Sequence, residues 1–140
     1  MASIHRDVSV NVDPQRAWSS LRRVHAASEL FAPVLSDSVL EGDVRTVTFA
    51  NGMVVRERIV EVDEDRRRVV YSALDAPGLS FHVASMQIVD AGPGRCRFVW
   101  ETDVLPAEAA AAVEPLVEQG TRALKANLER EARPIARAAP

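Results

Sequence analysis

The chain has 140 residues, about the size of one folding domain. At 47% hydrophobic and 26% charged, it is too apolar for a disordered segment and ordinary for a globular one. Seventeen basic residues stand against 20 acidic ones, so the net charge is -3 and nucleic acid is not an expected partner. Three histidines and one cysteine build neither a disulfide framework nor a zinc-ligand spacing, so no metal or cofactor is expected. No uncharged run approaches the roughly 20 apolar residues of a membrane span. The segment Met1-Ala2-Ser3-Ile4-His5-Arg6-Asp7 turns charged at once, unlike a secretory signal. The expectation is a cytoplasmic, single-domain protein over residues 1–140.

Residues 4–12 alternate, with Ile4, Val8, Val10 and Val12 on one side, which predicts a half-buried strand. Asp13-Pro14 predicts a helix start. The carboxylate can accept orphan amide hydrogens, and proline suits the first helical position, where its missing N–H is not needed. Ala17, Trp18, Leu21, Val24 and His25 recur at helical spacing, and Pro33 closes this region. A meander follows, with a short strand near 35–41 and longer ones over 43–50, 53–63, 67–75, 79–90 and 95–104. Asn51-Gly52, Asp63-Glu64-Asp65-Arg66, Ala76-Pro77-Gly78 and Gly92-Pro93-Gly94 are the turn signals between them. Connections this short join antiparallel neighbours. Pro106 and Glu108 can open a final helix, Pro115 predicts a kink or fresh start within it, and Pro134 ends it before a frayed tail. Its inward stripe reads Leu116, Val117, Gly120, Ala123, Leu124, Asn127 and Leu128.

If Asn51-Gly52 and Glu64-Asp65 are two-residue loops, hairpin parity sorts the strands into two faces. Val47, Phe49, Val54, Arg56, Arg58, Val60, Val62, Val69, Tyr71 and Ala73 share one face. Thr46, Thr48, Val55, Glu57, Ile59, Glu61, Val70, Ser72 and Leu74 share the other. The first holds more aromatic and large aliphatic side chains and is expected to lie under the last helix. That would bring Arg56 and Arg58 to the covered side, with Arg45 beside them if the pairing continues. A single bulge would reverse this assignment. A guanidinium keeps its charge, so each such arginine either lines a cavity or holds its stem covered and its head in solvent or against an acid.

The order strand, capped helix, antiparallel meander and long last helix resembles the helix-grip arrangement of the START-like (SRPBCC) superfamily. Glu41-Gly42-Asp43-Val44-Arg45, Asn51-Gly52-Met53-Val54-Val55-Arg56-Glu57-Arg58-Ile59 and Asp63 are similar to its polyketide cyclase/dehydrase-like group. So are Trp18, Phe31 with Pro33, Trp100 with Pro106, and Gly120 with Leu124-Lys125 and Glu129. The likeness spans nearly the whole chain, in motifs made of turns and packing residues. It implies an α+β fold with a curved seven-stranded antiparallel sheet around the C-terminal helix. It also implies a cavity for a small hydrophobic or amphipathic molecule. The group shares no catalytic residue that could be carried onto a position here.

The residues themselves offer several candidates for such a cavity. His82 is either a general base or a strand histidine bonded locally, while His25 reads as a surface residue. Tyr71 either donates to a ligand oxygen or packs in the core. Phe98 and Trp100 share one side of the last strand, for stacking or packing. Asn127 on the helix stripe either bonds the protein or reads a ligand. Phe49, Arg56, Arg58 and Leu124 complete the expected ligand-binding set, and no catalytic residue is assigned. Glu57 and Glu61 are expected on the solvated face, and Cys96 in the core. Three readings remain open: a small-molecule binding protein, a cyclase or dehydratase acting on a small carbonyl compound, and an interaction module. Either a monomer or a homodimer is compatible with the chain.

Overall fold

A computed structural model describes residues 1–132, so the expected stop at Pro134 and the frayed tail lie outside the described residues. Strand β1 (Ala2–Val10) leads into helix α1 (Pro14–Leu21), a 3-10 turn (Val24–Ala26) and helix α2 (Ala27–Leu30). Six strands follow: β2 (Leu35–Glu41), β3 (Val44–Phe49), β4 (Val54–Asp63), β5 (Arg68–Ala73), β6 (Phe81–Asp90) and β7 (Cys96–Leu105). A 3-10 turn (Ala107–Ala109) precedes helix α3 (Ala110–Ala132). The strands form one antiparallel sheet in the order β1-β7-β6-β5-β4-β3-β2. This is the helix-grip fold.

The start of α1 follows from its cap. Asp13 accepts the Gln15 N–H at 3.2 Å, and Pro14 occupies the first helical turn. Ala17, Trp18 and Leu21 are buried as the spacing requires, but α1 stops at Leu21. Val24 and His25 therefore fall in the 3-10 turn, where His25 is exposed. Helix α3 runs through Pro115 without restarting. Pro115 and Ala111, whose carbonyl would otherwise receive its N–H, are both exposed, so water can reach the orphaned acceptor.

The inner face differs from the hairpin arithmetic along β4. The β3–β4 register pairs Val47 with Val55 and Arg45 with Glu57. The loop holds three residues, not two: Phe49 N–H donates to the Met53 carbonyl at 2.8 Å, and Gly52 takes a φ of 92° as the last loop residue. One extra loop residue inverts the face of β4. The β4–β5 loop is also longer, since Asp63 pairs with Arg68 and Arg67 takes a φ of 52°. A bulge between Ile59 and Glu61 then shifts the register, so Val62 faces inward near the turn while Ile59, Glu57 and Val55 face inward beyond it.

Arg56 and Arg58 thus lie on the solvent side, contrary to the expected register. Arg56 pairs with Asp75 at 2.9 Å and Arg58 with Asp43 at 3.7 Å. Val54 and Val60 turn outward with them, 54% and 58% exposed. Val55, Ile59 and Glu57 take their places inside, whereas Glu61 stays exposed as expected. The placements on β3 and β5 hold, with Val47, Val69 and Tyr71 buried.

Helix α3 lies across the inner face and is tied at several points. Asn127 Nδ2 donates to the Leu30 and Ala32 carbonyls at 2.7 and 2.9 Å, and Lys125 donates to the Ser9 carbonyl at 2.7 Å. Arg6 of β1 bonds Glu118 at 2.6 Å. Gly120 meets the Trp100 ring so closely that an added Cβ would stand 2.8 Å from it. That ring is wedged by Phe31 and Phe98, with centroids at 5.8 and 6.0 Å. Gly120→Ala gains about 1 kcal/mol of helix propensity and meets an overpacking cost of about 1–3 kcal/mol. The net expectation is a lower denaturation midpoint with an unchanged m-value.

Candidate functional site

A cavity of about 430 Å³ lies between the inner face of the sheet and the N-terminal half of α3. Much of its wall is aliphatic or aromatic. β3 and β4 supply Val47, Phe49, Met53 and Val55; α3 supplies Val113, Leu116 and Val117; α2 and its exit supply Ala27 and Phe31. The lining residues that reach solvent are Asn51 in the β3–β4 turn, Pro77 and Gly78 in the β5–β6 loop, and Ala112 on α3. They mark the mouth. Two small residues, Ala109 at the end of the 3-10 turn and Ala112 on α3, leave space that larger side chains would fill.

Polar groups gather around Tyr71, which is buried on β5. Arg45 and Glu57 are directly opposed across β3 and β4. Glu57 Oε1 accepts from Arg45 Nε at 3.0 Å and from Nη2 at 2.7 Å, while Nη1 donates to the Val24 carbonyl at 3.0 Å. The guanidinium also lies over the Tyr71 ring, 5.3 Å from its centroid. No donor among the described residues reaches Glu57 Oε2, and Glu57 lines the cavity. Burial pushes the Glu57 carboxyl above its ordinary range, against the opposing pull of Arg45. Burial, reinforced by the Glu57 charge, holds the Tyr71 hydroxyl far above its ordinary value, so it stays protonated.

His82 on β6 is buried, with its ring centroid 5.7 Å from that of Tyr71. Its Nδ1 accepts the Ala73 N–H at 2.9 Å. The neutral ring therefore carries its proton on Nε2, and burial lowers its pKa further. This tautomer has no free lone pair at Nε2 to act as a base, so His82 is an N–H donor. Trp100 Nε1 and Thr102 Oγ1, both buried on β7 and lining the cavity, make no hydrogen bond with any described residue. Trp100 Nε1–H lies beside the Tyr71 oxygen without closing a bond to it. An apolar chamber thus holds one unengaged carboxylate oxygen and several donors around a single tyrosine.

Among the residues expected to bind a ligand, Phe49, Tyr71, His82 and Trp100 come together on the cavity wall. Arg56 and Arg58 do not, because β4 turns them outward. Phe98 and Leu124 are fully buried packing residues, and Asn127 is engaged by the carbonyls at the end of α2 and by Arg130 at 2.5 Å. Cys96 is fully buried, and burial pushes its thiol up to about 11. Arg45, raised only conditionally from sequence, enters the site, and Glu57 enters against expectation. A signal for this pair is present in the chain. The two-residue register sets Arg45 against Arg58, a like-charge pair, whereas the three-residue register sets it against Glu57.

Removing one member of this buried pair leaves the other uncompensated. Glu57→Ala is expected to cost about 3 kcal/mol in a chemical denaturation curve, and the double replacement R45M/E57L to recover most of that loss. His82 is less readily protonated folded than unfolded, so the unfolded chain binds more protons below its ordinary pKa. Stability is expected to fall as pH drops from about 6.5 through the lowered native value. The difference between wild type and His82→Gln, measured by thermal unfolding across that range, isolates this contribution.

The comparisons with known proteins agree with this architecture. The chain resembles XoxI of Bacillus cereus (20% identity, 95% of this chain and 100% of that one, TM-score 0.84). It also resembles truncated norcoclaurine synthase of Thalictrum flavum (17% identity, 99% and 95% coverage, TM-score 0.73). A third likeness is to the di-domain ARO/CYC BexL from the BE-7585A biosynthetic pathway (15% identity, 96% of this chain and 48% of that one, TM-score 0.81). At these identities the likeness carries the fold alone. No curated protein matches the sequence. The model of one family, described as polyketide cyclase / dehydrase and lipid transport, matches residues 1–129. With nearly the whole described chain matched and the helix-grip fold in place, this protein belongs to the polyketide cyclase / dehydrase and lipid transport family.

Proposed function

We propose that this protein binds a small, largely hydrophobic molecule in the cavity between the sheet and α3. One observation carries the reading: a chamber of about 430 Å³ remains inside a domain whose other inward side chains pack closely. Its wall is apolar over most of its area, so expulsion of water drives binding. Polar groups at the Tyr71 end orient the guest. The family match and the helix-grip neighbours support a ligand-binding or cyclase role in general.

A second reading, proton transfer on a carbonyl-bearing substrate, is favoured by the unengaged Glu57 Oε2 and the raised Glu57 carboxyl. In that reading Glu57 takes the proton from carbon, while Trp100 Nε1–H or His82 Nε2–H donates to the developing oxyanion. Glu57→Gln would then lower turnover of such a substrate by about 100-fold or more while retaining binding.

Native mass spectrometry of protein purified from its own host is expected to show a bound small molecule. Ala112→Trp, an exposed replacement at the mouth, is expected to weaken uptake of that molecule at least about tenfold without shifting the melting temperature. A repeatedly empty protein, or unchanged uptake by the variant, would count against this site.

A further inference from the structure

The polar end of the cavity has an uneven charge inventory. Its titratable lining residues, among those described, are Arg45 on β3, Glu57 on β4, Tyr71 on β5 and His82 on β6. Arg45 is the one cation among them, and three of its N–H groups are already engaged by Glu57 and the Val24 carbonyl. Tyr71 stays protonated, and His82 cannot gain a proton at Nδ1 without losing the Ala73 N–H bond. Glu57 Oε2 is an acceptor that no donor among the described residues meets. The same cavity is lined by Trp100, a residue 8% exposed, whose Nε1–H meets no acceptor among the described residues.

Building on the binding role proposed above, we infer that this cavity selects a neutral ligand bearing a hydroxyl group and rejects a carboxylate of the same size and shape. The hydroxyl donates to Glu57 Oε2 and accepts from Trp100 Nε1–H or His82 Nε2–H, which satisfies both sides of the polar cluster with one oxygen. A ligand carboxylate could accept from the same donors. It would also bring a second negative charge beside Glu57 with a single guanidinium between them, in a chamber whose walls are mostly hydrocarbon. An ether of the same shape accepts but leaves Glu57 Oε2 unmet, so it ranks between the two.

Three probes that share one naphthalene body test this: a naphthol, the corresponding methoxynaphthalene and the corresponding naphthoate. They are titrated calorimetrically into the full chain at about pH 8, where a phenol is neutral and a carboxylic acid is ionised. Wild-type protein is expected to bind the naphthol at least about tenfold more tightly than the naphthoate, with the methoxy compound between them. In Glu57→Gln the amide keeps an acceptor but removes the negative charge, so the naphthoate is expected to match or overtake the naphthol. Equal or tighter wild-type binding of the naphthoate overturns the inference and leaves the binding role standing. An unchanged preference in a folded Glu57→Gln protein also overturns it. Failure of all three probes to bind overturns both the inference and the binding role. The wild-type ratio decides the matter even if the variant does not fold.

Discussion

The change of face within β4 is the constraint on which the site depends. Near its C-terminal end the strand turns Val62 to the core; past the bulge it turns Ile59, Glu57 and Val55 instead. Together with the three-residue β3–β4 loop, this register step puts a carboxylate inside and two arginines outside. With a two-residue loop instead, Arg45 would oppose a second guanidinium, that of Arg58. The bulge also increases local strand twist, as a sheet curving around a helix requires.

The polar cluster is a costly arrangement for a small domain. Burying an ion pair removes two charges from water, and a well-packed hydrophobic pair often serves stability as well or better. Here the cost is offset in part: Glu57 Oε1 meets Arg45 through two N–H groups, and the guanidinium also meets a backbone carbonyl and an aromatic face. Among the described residues, the buried polar side-chain atoms left without a partner are the indole N–H of Trp100 and the hydroxyl of Thr102, and both residues line the cavity. Buried polar groups without partners are uncommon in native proteins. Their concentration at one end of one void distinguishes this end from the aliphatic remainder.

Much of the fold was legible because local chemistry and long-range packing agree there. The alternation of β1 and the Asp13-Pro14 start of α1 each have one good structural solution, and the turn signals mark where the strands end. The inward stripe of α3 was legible too, down to Val117, Gly120, Leu124 and Leu128. The site was less so, because its composition depends on register. Register along β4 turns on whether one loop holds two or three residues and on a bulge, neither of which changes the periodic pattern. Tyr71, Phe49, His82 and Trp100 survived this uncertainty because they lie on strands outside the inverted segment. The charge complementarity of Arg45 with Glu57 was the one cue in the chain that could have chosen between the alternatives. Asn127 was ambiguous for another reason: its partners are backbone carbonyls at the end of α2, which no side-chain pattern announces.

The two tryptophans occupy very different surroundings. Trp18 is sealed on the far side of the core, its indole N–H held by Glu64 at 2.7 Å. Trp100 borders the void and has no such anchor. Under the binding role proposed above, the two indoles would act as a built-in optical gauge: emission from Trp100 would report on whether the chamber is filled, while Trp18 would supply a steady background. Phenylalanine at position 18 would leave a single chromophore of this kind, viewing the guest directly.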